Sequence, residues 1–280
     1  MSSKAVLITG CSTGIGRATA ERLAANGHTV YATARKPESI ADLEAKGCKL
    51  LALDVCDEAS MQAAVDQVVA EQGAVGALVN NAGYSQSGAL ESLDMADVRR
   101  QFDTNVFGLL RMCQLCLPGM REQGWGRIIN MSSMGANFVF PGGGIYHATK
   151  YAVDAMSDAL RFEVKKFGVD VVIIQPGLIV TEFGETAAAV TPSSDDGPYA
   201  KFNAHVAKMT SEAYKGPMAK LGAGPDAVAK VVEKAITSSS PHIRYRVTPS
   251  AKLLLAMRRL MTAGMWDAAM KSQYPQPGKT

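Results

Sequence analysis

Short apolar runs alternate along this chain with longer stretches in which apolar residues recur at helical spacing. The runs are Ala5 to Thr9, His28 to Ala34, Lys49 to Leu53, Val75 to Val79, Arg127 to Met131 and Val169 to Ile174, each of strand length. The helical patterns occupy Arg17 to Asn26, Asp57 to Gln72, Met95 to Gly119, Ile145 to Phe167 and Asp226 to Thr237. Alternation of this kind predicts an α/β fold built as a doubly wound parallel sheet with helices on both faces. Ligands of such sheets sit outside the carboxyl ends of the strands. Two segments fall outside the alternation. Phe183 to Pro217 is too long for a plain connection and reads as a lid over a pocket. Ser250 to Lys271 is amphipathic, setting Leu253, Met257, Leu260, Met261, Met265 and Trp266 against Arg258, Arg259 and Lys271.

Composition adds bounds. The 280 residues are 47% apolar and 20% charged, enough for one sizeable core, and residues 1–280 are expected to form a single domain. The net charge of +3 is spread over scattered cations, which gives no case for nucleic acid. Five cysteines, an odd number with no signal peptide in view, predict a reducing, cytoplasmic setting. No apolar segment reaches the roughly 20 residues that span a bilayer. Cys113 and Cys116 make a Cys-x-x-Cys, but within an apolar helical pattern and with no second ligand pair; with no metal spacing among His28, His147, His205 and His242, no metal site is expected.

The first run feeds Gly10-Cys11-Ser12-Thr13-Gly14-Ile15-Gly16 and then a helix. Glycines there permit a tight turn and close approach of the backbone to a pyrophosphate, met by free N–H groups and the helix dipole. The order strand, glycine loop, helix predicts dinucleotide binding. The second run ends at Arg35-Lys36, where an NAD site places an acid on the ribose 2′-hydroxyl. Two cations suit a 2′-phosphate instead, with the Ser12 hydroxyl in reach, so NADP is the expected cofactor and NAD the less favoured one.

The remaining marked residues fall after strands and line one rim: Asp54 and Val55, Asn80-Asn81-Ala82-Gly83, Ser133, and Pro176-Gly177. On the helix that follows, Tyr146 and Lys150 stand at i and i+4 and project from one face, about 6 Å apart along the axis. An ammonium beside a phenol favours the phenolate, which lets a group that titrates near pH ~10 exchange protons near neutrality. Ser133, at the end of an apolar run, is placed to hold a substrate oxygen against that phenol.

With these residues in register, the chain from about Lys4 to Glu182 resembles the short-chain dehydrogenase/reductase family, whose fold is Rossmann-like. The resemblance rests on Thr9-Gly10-x-x-x-Gly14-Ile15-Gly16, Asp54-Val55, Asn80-Asn81-Ala82-Gly83, Asn105, Ser133, Tyr146-x-x-x-Lys150 and Pro176-Gly177 followed by Thr181, with no departure at these positions. It implies Tyr146 as catalytic acid/base, Ser133 as the residue that polarises and positions the carbonyl, and Lys150 as the group that lowers the tyrosine pKa and binds the nicotinamide ribose. Asn105 would hold a water of the proton relay. Asp54, Val55 and Asn81 would border the adenosine half, Ala82 and Gly83 the cofactor, and Thr181 would meet the carboxamide. A homodimer or homotetramer, paired through the helices at Met95 to Gly119 and Ile145 to Phe167, is implied by the same resemblance.

The substrate pocket is expected from Met134 to Gly144, with Phe138 and Phe140, and from the lid segment, with Phe183, Tyr199, Phe202 and Met209. Few cations there await a carboxylate or phosphate, so the expected substrate is a neutral, hydrophobic ketone or alcohol. The segments Val30 to Lys36 and Ser157 to Val164 also look like the hydroxysteroid and retinol dehydrogenase branch. Two other readings stand beside the oxidoreductase: an epimerase or dehydratase, whose glycine loop is usually spaced Gly-x-x-Gly-x-x-Gly, and a cofactor-sensing regulator without catalysis. The amphipathic C-terminal segment is expected to pack on its own domain, the pocket or a neighbouring subunit, in preference to lying on a membrane.

Overall fold

A computed structural model describes residues 2–192, 197–213 and 220–278; the parts of the expected lid at 193–196 and 214–217 lie outside the described residues. In chain order the first elements are β1 (Val6–Ile8), α1 (Gly14–Ala25), β2 (Val30–Ala34), β3 (Cys48–Ala52), α2 (Glu58–Gln72) and β4 (Ala77–Asn80). There follow α3 (Met95–Phe102), α4 (Gly108–Glu122), β5 (Gly126–Met131), α5 (Gly144–Val164) and β6 (Val169–Gln175). The last elements are α6 (Phe183–Ala189), α7 (Ala200–Glu212), α8 (Pro225–Thr237), β7 (Arg244–Arg246), α9 (Pro249–Leu260) and α10 (Ala263–Gln273). The strands form one seven-stranded sheet in the order β3-β2-β1-β4-β5-β6-β7, parallel throughout.

Both faces of the sheet are covered, and this is why its strands read as unbroken apolar runs. Successive side chains alternate between faces. Leu7, Leu78 and Ile128 point to the layer of α2, α4 and α5, where Val65, Met112 and Val153 meet them. Val6, Ile8, Val79 and Ile129 point the other way, to Leu23 of α1 and Val228 and Val232 of α8. Caps fix several helix starts. Asp57 accepts from the Ala59 and Ser60 N–H groups at α2, Asp94 from Ala96 at α3, and Thr248 from Ala251 at α9.

Four features differ from the sequence expectation. The single helix expected over Met95 to Gly119 is α3 and α4 joined by a π-helical turn at Asp103–Phe107, an irregularity periodicity does not reveal. The Asn105 side chain turns out of that stretch to bind the Tyr84 main chain and Thr149. The expected lid contains α6 and α7. The seventh strand, Arg-Tyr-Arg, is a half-exposed edge strand without an apolar run. The C-terminal amphipathic segment is two helices, because Met261 turns extended and Thr262 caps a new start at the Met265 N–H. Both halves then aim apolar faces inward: Ala251 and Leu255 from α9, and Trp266 and Met270 from α10, close on Met134 and Phe138.

Candidate active site

A cavity of about 1760 Å³ opens along the carboxyl ends of the strands. Its first end is built by the β1–α1 loop. Gly10 (φ +73°) and Gly14 (φ +58°) hold backbone angles that other residues rarely adopt. The loop is also too crowded for side chains: a Cβ on Gly10 would sit 2.9 Å from Ala82 Cα, and one on Gly16 would overlap the Gly10 carbonyl oxygen. The Thr9 hydroxyl accepts from the Asn81 and Ala82 N–H groups, both at 3.0 Å. Asn81 Nδ2 in turn donates to the Thr9 and Gly10 carbonyls. The Asn80-Asn81-Ala82-Gly83 segment is thus riveted to the glycine loop. Thr13, the N-cap of α1, makes no side-chain cap bond, leaving first-turn N–H groups to face the cavity, as a bound anion requires.

Around this end lie Ser12, Thr13, Ile15, Arg35, Asp54 and Val55, and Asn81, Ala82 and Gly83 close its floor. Arg35 is exposed and makes no ion pair among the described residues. Thr181 reaches across from beyond β6, its methyl carbon 3.3 Å from where a Gly14 Cβ would be, with Pro176 and Gly177 beside it on the rim. A dinucleotide therefore fits on observation: a cradle that any Cβ would fill, open N–H groups for a pyrophosphate, and a cation in place of an acid at the end of β2.

At the centre stand Ser133, Tyr146 and Lys150. Ser133 follows β5, and its Oγ accepts the Gly135 N–H at 3.0 Å, which leaves its own proton free to point into the cavity. Lys150 is buried, donates to the Met131 carbonyl at 2.8 Å, and holds its Nζ 5.7 Å from the centre of the Tyr146 ring. Burial lowers the Lys150 pKa to about 8 against the opposing pull of Asp154. The Tyr146 ring is half-buried between His147 and Phe183, at 5.8 and 5.6 Å between centroids. His147 clamps the loop after Ser133: one ring nitrogen pairs with the Gly135 carbonyl at 2.8 Å and the other accepts the Phe140 N–H at 3.2 Å. Burial holds its pKa below the usual histidine value, in keeping with a neutral ring that donates from Nδ1 and accepts at Nε2.

The far end is mostly apolar. Phe138, Phe140, Leu254, Met257, Met261, Trp266 and Met270 line one side, and Phe183, Val206 and Met209 the other. Phe138 and Trp266 pack with centroids 5.5 Å apart, and Trp266 Nε1 donates to the Val139 carbonyl.

Most expected site residues thus share one cavity, but several do not line it. Gly16 lies beneath the loop. Lys36 is next to Arg35 but outside the lining. Asn105 is buried behind Gly83 and Lys150, its side chain committed to Tyr84 and Thr149. Tyr199 turns away to hydrogen-bond Glu91 and packs with Ala89, Phe202 and Val206 in a separate apolar cluster; Phe202 likewise stays out of the cavity. Sequence reasoning missed His147, whose only signal was its place beside Tyr146; it named Trp266 in the C-terminal segment, with the pocket as one of three places for that segment to pack, but did not single out Leu254 or Met270. No group of three or more His, Cys, Asp or Glu is placed to hold a metal among the described residues. Cys113 and Cys116 are buried, with burial raising both thiol pKa values, that of Cys113 to about 12.

The fold and this cavity define a dinucleotide-using α/β oxidoreductase, and comparison with known proteins gives its family. A family model described as short chain dehydrogenase matches residues 4–190. A 3-ketodihydrosphingosine reductase of Bacteroides thetaiotaomicron is 35% identical over 257 residues, 91% of this chain and 92% of that one. Among solved structures, a short-chain dehydrogenase from Streptomyces avermitilis superposes with a TM-score of 0.79 at 32% identity, covering 97% of this chain and 95% of that one. A serine dehydrogenase complexed with NADP+ gives 0.75 at 29% identity, with 88% and 94% covered. The chain belongs to the short-chain dehydrogenase/reductase family and is an oxidoreductase that acts on alcohol or ketone groups with a nicotinamide cofactor. No helix among the described residues is long and apolar enough to cross a membrane.

Proposed function

We propose that this protein interconverts a ketone and a secondary alcohol on a hydrophobic substrate, with NADP(H) as cofactor. The observation that carries the reading is the meeting of Ser133, Tyr146 and Lys150 between a dinucleotide cradle and an apolar chamber. When bound, the nicotinamide supplies or accepts the hydride. Ser133, with its proton free, donates to the substrate oxygen and holds it at Tyr146. Tyr146 gives that oxygen its proton in reduction and removes it in oxidation. The Lys150 ammonium stabilises the phenolate left behind. Asn105 acts from behind the site: its side chain is spent on Tyr84 and Thr149, so any part it takes in a proton path goes through main-chain groups of the π-helical turn.

NADP is favoured over NAD by exposed Arg35 at the cavity edge with Ser12 opposite, by the absence of an acid at the end of β2, and by the NADP+ held in the serine dehydrogenase relative. The chamber past Tyr146 suits a large apolar group such as a steroid- or retinoid-like skeleton or a long chain. The name of the Bacteroides relative, a 3-ketodihydrosphingosine reductase, is in keeping with this. Pairing into a homo-oligomer through the faces of α4 and α5 belongs to the same proposal. Phe107, just before α4, is 57% exposed and Phe162 on α5 is 89% exposed, apolar surface that a second copy would cover. Loss of reduced-nicotinamide absorbance with NADPH and with NADH, against a panel of hydrophobic ketones and aldehydes, tests the reading. Turnover with NADPH that Tyr146→Phe abolishes is expected; full turnover in Tyr146→Phe, or cofactor binding with no turnover on any member, would overturn it.

A further inference from the structure

One helical turn beyond Lys150, on the same face of α5, stands a second buried charged group, Asp154. Three strands converge on its carboxyl. From β6, Gln175 Nε2 donates to Asp154 Oδ2 at 2.8 Å. From β7, Arg244 Nη2 lies 3.6 Å from the same oxygen, steadied by a 2.8 Å bond to Asp158. At the end of β5 the Ser132 hydroxyl faces the carboxyl, and Asp154 Oδ1 has no partner of normal geometry. The result is a line of alternating charge, Lys150, Asp154, Arg244, running from the reaction site to the edge of the sheet.

We propose that Asp154 is a positioning residue that keeps the Lys150 amine protonated, and so keeps the positive charge beside Tyr146 that acid/base exchange there requires. This rests on the assignment of Lys150 as the electrostatic partner of Tyr146. The physical need is plain from the surroundings. Lys150 is enclosed, its Nζ hydrogen-bonds the Met131 carbonyl, and an ammonium removed from water tends to shed its proton. Asp154, one turn along the same helix face and buried like Lys150, makes no ion pair with it but is placed to oppose that loss through its charge. Burial works against that carboxylate too, and Arg244, Ser132 and Gln175 offset it. The other groups facing Asp154 are on its own helix: Asp158, which repels it, and Tyr151, which Arg258 of α9 influences from the other side. A buried carboxylate whose Oδ1 has only the Ser132 hydroxyl beside it, without a hydrogen bond of normal geometry, is a costly choice for packing alone. An amide at this position keeps the shape and can still accept from Gln175; only the charge is lost.

That difference supplies the test. Protein labelled with [ε-13C]lysine is titrated by NMR, and the Lys150 resonance is assigned by its loss in Lys150→Arg. In Asp154→Asn the Lys150 midpoint is expected to fall by about one pH unit or more relative to the unsubstituted protein, while Asp154→Glu restores it. An unmoved midpoint in Asp154→Asn with an unchanged thermal melt would overturn the proposal. Should the asparagine variant fail to fold, Asp154→Ser is titrated in its place with the same two readings. The titration needs no substrate, so a failed proposal about Asp154 and a failed assignment of the reaction, which rests on Tyr146→Phe turnover, are told apart.

Discussion

At the glycine-loop end of the cavity, position is set by close contacts with the main chain: the Thr9 hydroxyl and the Asn81 side-chain amide make four hydrogen bonds to backbone groups of Thr9, Gly10, Asn81 and Ala82, and Gly16 has no room for a methyl. At the far end the walls are side chains from α6, α7, α9 and α10, and Met257, which lines the chamber, is 45% exposed. The first end is shaped by backbone that leaves little latitude; the second is walled mainly by apolar side chains that can be exchanged. A rigid cofactor half and an adjustable substrate half let one reaction serve different substrates.

Tyr146→Phe, at the boundary of the two ends, should have the largest effect: kcat lower by roughly 10²–10⁴, with NADPH binding by fluorescence unchanged. Next, Gly16→Ala should cost about 1–3 kcal/mol through overpacking, read as a lower urea midpoint and weakened cofactor binding. Met257→Ala, the matching change at the far end, should stay within about 0.5 kcal/mol and act on substrate KM alone; equal costs would erase the contrast. Arg35→Ser should raise the NADPH KM by about tenfold or more and leave the NADH KM nearly unchanged, as loss of a hydrogen bond to a charged phosphate predicts. The smallest effect concerns pH. His147 has a folded-state pKa below the 6.5 of an ordinary histidine, so the unfolded chain takes up the proton first. Its contribution is favourable above about pH 6.5 and is lost as pH falls from there towards the folded value. Urea midpoints measured on either side of this window should differ less in His147→Gln than in the unsubstituted protein.

The legible parts of the site share a cause. Strand, glycine loop and helix lie within about one βα unit, and Tyr146 and Lys150 are a helical turn apart, so short-range rules place them. The apolar runs likewise announced strands buried on both faces. What escaped was decided by partners far along the chain. Tyr199 looked like chamber lining but is taken up by Glu91 and the Ala89 cluster. Asn105 sits in a π-helical turn shaped by Tyr84 and Thr149. The edge strand β7 has no apolar signature, though it brings Arg244 to Asp154.

By itself, then, the sequence determined the alternation of strands and helices, the glycine cradle, the cation that replaces an acid after β2, and the tyrosine–lysine pair, because each is a matter of local spacing or residue type. The tertiary structure alone decided that Trp266 and Met270 close over Phe138, that His147 clamps the loop after Ser133, and that Asp154, one turn from Lys150, is buried and tied to the last strand through Arg244. Those arrangements depend on which surfaces meet after the chain has folded, and it is burial there that shifts the pKa values of His147, Lys150 and Asp154.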